Sequence, residues 1–223
     1  MRFLIITLLL FNHTSIAEEY NPAARFNAAK QQTIKLPNHK QLYIDQSNKR
    51  TIVIGTMINR QNIYAFGENV QAAGIQLNIG KAKTTIKEKF NRQPTPTIKT
   101  GERLDLEATK GSVYIRLTTN NQANIIANAK GNNFAKAEAA AQEITISGVR
   151  GIIDIKTHTT SRGNLSASAN ARKNVEAQTH TTQTNIQGNP RLVRIRGNIT
   201  NQGDIKAKAQ GGIAAALVRA GER

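Results

Sequence analysis

The sequence predicts an all-β chain, a repetitive β-solenoid or stacked β-sheet built from units of about 40 residues with about four short strands each. Three observations support this. One motif recurs at a fixed spacing, apolar and polar residues alternate within each unit, and Gly-rich turn signals separate the alternating stretches. Alternation with a period of two is typical of a half-buried strand.

The repeat is clearest in three segments that read Gly or Ala, Asn or Asp, Ile or Leu, x, Ala, x, Ala. They occupy residues 123–129, 163–169 and 203–209, so each lies 40 residues after the one before it. Val113, Ile153 and Val193 recur with the same spacing. We call such a set of equivalent positions a column.

Two other β architectures compete with this interpretation. A β-sandwich is the main alternative, and a propeller also has four-stranded blades of about 40 residues. The Ala-rich run 133–142 is compatible with a short helix, but its counterpart 174–179 is β-branched and polar, which favours a strand.

The chain divides into five segments. Residues 1–17 have a basic start, an apolar run of nine residues and small residues before Glu18, which indicates a secretory signal peptide. Residues 18–49 form an N-terminal segment, 50–80 a diverged first repeat, 81–103 a basic insertion loop, and 104–223 the 40-residue repeats. In the diverged copy, Ile52-x-Ile54 matches Val113-x-Ile115.

Small side chains dominate the predicted inner columns. Ala167 is assigned to the interior and its neighbour Ser166 to the outside. Because alanine side chains are small, alanine in the inner columns requires that the facing sheets pack at a short distance. Asn and Gln together number 38 of 223 residues, and stacking of identical units would align them in hydrogen-bonded rows.

The motif and the Gly-rich turn that follows it resemble the repeats of exported β-solenoid adhesins of the filamentous-haemagglutinin type. The Asn- and Gln-rich repetition is also similar to curlin-like fibre subunits. The resemblance covers residues 104–220 and implies an exported surface or matrix protein.

The sequence offers little for catalysis. With no cysteine, thiolate metal sites and cysteine nucleophiles are excluded. His158 and His180 lie in two Thr-His-Thr-Thr tetrapeptides, but no third ligand accompanies both. We therefore expect no enzyme activity, no cofactor and no metal.

Positive charge is the strongest chemical feature, with a formal net charge of +17, or +16 without Arg2 of the signal peptide. Basic side chains at outward strand positions and in the insertion would attract anionic polysaccharide, lipopolysaccharide or DNA. The candidate contacts are Lys81, Lys83, Lys87, Lys89, Arg92, Arg191, Arg194, Arg196, Lys206 and Lys208. Lys on exposed strands also protects edges against aggregation.

The last prediction concerns assembly. The final repeat lacks its fourth predicted strand at Arg223, which would leave an unpaired edge. Leu42 and Ile44 lie in an alternating stretch, which we predict completes that edge in the next subunit; the alternative is that they cap their own chain. We therefore expect a secreted structural protein of a surface fibre, adhesin or biofilm matrix that forms a homopolymer. The alternative is a periplasmic or extracellular binding module for an anionic polymer. Neither needs an integral membrane segment in the mature chain.

Overall fold

A computed structural model describes residues 30–36, 40–47, 49–80, 94–107 and 110–219. These residues confirm the predicted all-β class. No helix long and apolar enough to cross a membrane occurs among them. The predicted signal peptide lies outside the described residues.

The bounds of the strands are β1 Lys30–Leu36, β2 Lys40–Gln46, β3 Arg50–Asn59, β4 Ile63–Gly67, β5 Asn69–Ile79, β6 Thr97–Leu106, β7 Ser112–Asn121, β8 Ile125–Lys130, β9 Phe134–Ser147, β10 Ile152–Ser161, β11 Leu165–Asn170, β12 Asn174–Gln187, β13 Leu192–Asn201, β14 Ile205–Gln210 and β15 Ile213–Arg219. From β7 to β15, short turns of two to four residues join consecutive strands.

These strands form three mostly parallel sheets. Sheet A has the order β1-β2-β3-β7-β10-β13, sheet B the order β14-β11-β8-β4, and sheet C the order β15-β12-β9-β5-β6. Strands β3 to β5, β7 to β9, β10 to β12 and β13 to β15 each give one strand to each sheet, and we call these sets units 1 to 4.

Successive units pair in register. Ile153 of unit 3 pairs with Val113 of unit 2, 40 residues earlier, and Leu165 pairs with Ile125 at the same offset. Inward positions therefore stack on inward positions.

Glycine is required in the tight turns. A Cβ on Gly163 would lie 2.0 Å from the carbonyl oxygen of Ala123. Gly148 has a φ of 77°, which an L side chain rarely adopts.

Each unit has three strands, where the sequence predicts four. The stretches around Ala135 and Ile144 belong to one strand of 14 residues, β9. No Gly or Pro lies between them, and the chain passes from one stretch to the other without a turn. It changes direction by a bend at Ala141. Ala141 and its column mate Thr181 are missing from an otherwise continuous β9–β12 pairing, which places the bend there.

The bend of sheet C divides the interior into two arms. In one arm sheet A faces the second half of β9, and the core consists of large residues such as Ile115, Ile144 and Ile155. In the other arm sheet B faces the first half of β9, and the core is mostly alanine, including Ala127 and Ala167. We call them the large-residue arm and the alanine arm.

A polar contact marks the junction of the arms. The Gln142 amide nitrogen donates to the Thr119 hydroxyl at 2.8 Å, and the Thr159 hydroxyl donates to the Gln142 amide oxygen at 2.7 Å. All three side chains are buried. A buried amide is stable here because both of its polar atoms have partners.

Amide rows run along the stack at the corner between sheets A and B. Asn59 donates to the Asn121 side-chain oxygen at 2.8 Å, and Asn121 donates to the Ser161 hydroxyl at 3.2 Å. In a second row, the Asn124 side-chain oxygen accepts the backbone N–H of Asn164 at 2.9 Å. These rows lock the register of neighbouring units.

The unit 1 side of the stack is covered by β2 and β6. Leu42 and Ile44 are buried in the chain's own core, and β2 pairs antiparallel with β3. They therefore cap their own chain, which is the alternative to donating a strand to another subunit.

Residues 97–103, predicted as part of an insertion loop, belong to β6 and pair with β5.

Two predicted alignments are shifted by one residue. Thr51 and Val53 lie in the column of Val113 and Ile115, so Ile52 and Ile54 face outward. Residues 52–54 are three consecutive apolar residues, so the sequence pattern does not identify the inward set there.

The shift in the last strand has a different origin. The 40-residue spacing predicts that Ala215 lies in the column of Val175, but Ala214 pairs with Val175. The turn before β15 has two residues, Gly211 and Gly212, where the turn before β12 has three, 171–173.

Candidate functional site

The unit 4 side of the stack is uncovered in the part of the chain that the structure describes. Val113 and Ile153 are fully buried, but their column mate Val193 is 40% exposed. The difference arises from position in the stack, because no described strand lies over unit 4. Val218 of β15 is also exposed, at 47%, although its column mate Thr179 is fully buried. We call this surface the open end.

Strand edges accompany these apolar residues. Among the described strands, β13, β14 and β15 each have a hydrogen-bonded neighbour on one side only. Strand β15 pairs with β12 only up to His180, so residues 182–187 of β12 have β9 as their sole described neighbour. Unpaired edges of this kind accept strands from other chains.

The predicted basic contacts lie on two different faces. Arg194 and Arg196 project outward from sheet A, and Lys206 and Lys208 project outward from sheet B. Arg191 lies in the turn before β13, where its backbone N–H donates to Arg150 at 3.0 Å. The insertion residues Lys81, Lys83, Lys87, Lys89 and Arg92 lie outside the described residues.

Asp154 neutralises part of the sheet A charge. Its carboxylate accepts from Arg116 at 2.9 Å and from Arg196 at 3.3 Å, across three neighbouring strands. The Arg116 hydrogen bond is the main cause that lowers the pKa of Asp154 below its ordinary 3.8, with a further contribution from Arg196. Lys206 is paired in a similar way with Asp204, at 2.9 Å on the surface.

A second site forms on the outer face of sheet C, where the bend makes the sheet concave. Its floor is the outward column Ala73, Ala140 and His180, and all three residues are at most 5% exposed. One wall carries the column Gln71, Glu138 and Gln178, and the other carries Gln76, Glu143 and Gln183. We call this the sheet C groove.

Glu143 is the best-connected side chain of the groove. One carboxylate oxygen accepts from Gln71 of the opposite wall at 2.9 Å and from Gln76 of its own wall at 3.1 Å. Burial is the main cause that raises the pKa of Glu143 above 4.5, and the negative charge of Glu138 adds to the increase. The groove therefore favours an uncharged carboxyl group.

Glu138 and His180 complete the titratable set. The His180 Nε2 atom lies 3.9 Å from a Glu138 carboxylate oxygen and 3.1 Å from the Gln178 amide oxygen. Burial raises the pKa of Glu138, and Lys136 partly offsets the increase. Two carboxyl groups and an imidazole thus share one concave surface.

Sequence reasoning missed this cluster. Glu138 and Glu143 are five residues apart, and His180 lies in the next unit, so their proximity depends on the bend and on the pairing of β9 with β12. The available signal was Gln and Glu at several outward positions of the same long strands. His158 lies on sheet A and His180 on sheet C, so they share no site. Within the described residues, no group of three or more His, Cys, Asp or Glu could hold a metal ion.

Comparison with known proteins adds no assignment. No family model matches the chain, and neither a curated protein nor a solved structure shows significant similarity to it.

Proposed function

We propose that the chain is a β-solenoid that serves as a secreted structural protein, a subunit of a surface fibre, adhesin or biofilm matrix that assembles by end-to-end strand stacking. The open end is the observation that carries the proposal. It presents unpaired strand edges beside apolar residues that are buried wherever another unit covers them.

A second copy of the chain is the partner that fits this surface. The three sheets have their opposite edges at β1, β4 and β6, and all three strands run in the same direction as the units. Parallel continuation by another copy would therefore keep strand polarity. The two ends of the stack differ, so contacts between copies are head-to-tail. Head-to-tail contacts that do not close into a ring extend as a fibre.

Charge supports the same arrangement. Residues 188–219 contain six basic side chains and one acidic side chain. The described residues 40–47, 49–80 and 94–107, which include β2 and β6, contain five acidic and six basic side chains. Contact between two open ends would bring like charges together, whereas contact of an open end with the unit 1 side would not.

The test is self-association of the purified protein, measured by sedimentation velocity and electron microscopy over a concentration series. We expect oligomers that grow with concentration. Val193→Lys with Ile195→Lys should abolish them, because charged residues on an open strand edge prevent pairing. Asn198→Lys, which adds charge to the outer face of the same strand, is the matched control. Monomers at every concentration would contradict the proposal.

Anionic-polymer binding is a second candidate, favoured by the excess of basic residues in unit 4. Arg194 and Arg196 on sheet A and Lys206 and Lys208 on sheet B lie on strands of the same unit. Phosphate or sulfate groups could bind these side chains without any aromatic stacking.

Salt dependence tests this candidate. Binding to heparin, DNA and lipopolysaccharide should weaken steeply as salt increases, because counterions are released on binding. Lys206→Gln with Lys208→Gln should reduce the salt slope, and Ser166→Gln with Ser168→Gln in the same columns of unit 3 is the control. Binding that does not change with salt would exclude this function.

A further inference from the structure

We infer that the sheet C groove is a binding site for a neutral, linear oligosaccharide. The inference is independent of self-association at the open end. It rests on the shape of the groove, on the polar atoms that line it, and on the charges around it.

The shape suits an extended ligand. The walls are formed by equivalent positions of three consecutive strands, β5, β9 and β12, and end at Ile98 and Arg103 of β6. Neighbouring strands lie about 4.8 Å apart, so the groove runs along the stack for two strand spacings, about 10 Å. Amide and carboxyl side chains therefore recur along its length, as a chain of similar sugar units requires.

Two amide oxygens of the lining lack a hydrogen-bond donor. The Oε1 atoms of Gln76 and Gln183 are buried and have no hydrogen-bond partner among the described residues. Gln76 is only 5% exposed, and its amide nitrogen donates to Glu143, so the side chain points into the groove. Buried acceptors without donors are unfavourable, and a ligand that brings donors would relieve this cost.

The rim gives a ligand access to these atoms. Gln71, Gln183 and Asn185 are half-buried, whereas Glu143 and His180 beneath them are buried. The Asn185 amide reaches Glu143 only at 3.5 Å, which is a weak hydrogen bond. A hydroxyl group can take the place of such an amide and donate to the acceptors below.

Charge selects the ligand class. An anion is disfavoured because it would bring only acceptors to a lining whose unpartnered atoms are already acceptors. A multivalent cation is disfavoured by the net charge of +17 and by Lys136 beside Glu138. A sugar hydroxyl both donates and accepts, which matches walls made of amides and carboxyl groups. A neutral oligosaccharide is the ligand that meets all these conditions.

The experiment is titration of the isotopically labelled protein with cellohexaose, laminarihexaose, maltohexaose and chitohexaose, followed by NMR of the backbone and side-chain amides. Spermidine serves as the cationic comparison. We expect at least one hexasaccharide to shift the side-chain amides of Gln71, Gln76 and Gln183, with backbone shifts confined to β5, β9 and β12. Because the shifts are mapped on the wild-type protein, this result does not depend on the folding of a variant.

Two variants sharpen the assignment. Glu138→Gln and Gln183→Ala should each lower the affinity for the hexasaccharide at least tenfold. Ser168→Ala on the outer face of sheet B should leave that affinity unchanged. Shifts from no sugar, shifts from spermidine alone, or sugar shifts that map to sheets A or B would each overturn the inference. A sugar that binds to a protein that stays monomeric would support the groove and contradict the fibre proposal.

Discussion

The two arms of the interior have the same strand pairing and different cores. The large-residue arm is filled by Ile, Leu, Val and Met, whereas the alanine arm holds twelve alanines among its seventeen buried core residues. Both arms are closed by the same long strands of sheet C, because β9 and β12 run through the bend. The spacing between sheets is therefore set locally by side-chain size in each column.

The difference implies opposite sensitivities to mutation. A large-residue core loses stability when atoms are removed, since a cavity remains. An alanine core loses stability when side-chain atoms are added, because the facing sheet lies too close to accommodate a larger side chain. The following predictions test this comparison, from the largest expected effect to the smallest.

The largest effect is expected in the large-residue arm. Ile155 is fully buried and stacks between Ile115 and Ile195. Ile155→Ala should lower the free energy of unfolding by about 2–5 kcal/mol, as for other buried Ile-to-Ala changes. Chemical denaturation measures it, with Lys156→Ala on the outer face as control. A loss no greater than that of the control would show that this arm is loosely packed.

In the alanine arm, Ala167→Leu should cost about 1–3 kcal/mol through overpacking. Ala167 is 1% exposed and faces inward, while the adjacent Ser166 faces outward. Ser166→Leu is the matched control and should change the melting temperature little. Equal melting temperatures for the two variants would mean that the inward and outward sets are reversed.

The junction between the arms should be less sensitive. Gln142→Leu keeps the volume but removes the two hydrogen bonds to Thr119 and Thr159, each worth about 1 kcal/mol. We expect a loss below that of Ile155→Ala, measured in the same denaturation series. A more stable variant would argue that the polar junction is not needed to hold the arms together.

The smallest effect is pH-dependent and lies on the outside of the bend. Burial raises the pKa of Glu138 and Glu143 above 4.5, so the stability associated with their protonated forms is complete below pH 4.5 and is lost as pH rises through the raised values. Glu143→Gln should reduce this loss, which melting temperatures from pH 4 to pH 8 would reveal. An unchanged pH profile would contradict it.

Asp154 gives the opposite slope and serves as an internal comparison. Its pKa is lowered below 3.8, so its contribution is present above pH 3.8 and is lost as pH falls through the lowered value. Asp154→Asn should therefore lower the melting temperature above pH 4.5 without changing the slope there, and should flatten the acid side of the profile in melts extended to pH 2.

Part of this architecture could be predicted because it depends on local pattern. The alternation in 113–115 and 125–129 identifies strands with one buried face, and the pairs Val113 with Ile153 and Ile125 with Leu165 are 40 residues apart, at the predicted spacing. The registers of β3 and of β15 were missed by one residue. In β3 the residues 52–54 are all apolar, so their pattern does not identify the inward set. Before β15 the turn is one residue shorter than before β12, and alternation does not report turn length.

The sequence by itself determined the all-β class, the inward columns of units 2 and 3, and the excess of positive charge, since each follows from residue type and period. Only the tertiary structure decided the bend at Ala141, the division into two arms, the capping by Leu42 and Ile44, and the groove that joins Glu138, Glu143 and His180. The physical reason is that alternation specifies which side of a strand is buried, whereas the angle between two halves of a strand depends on what packs across the interior.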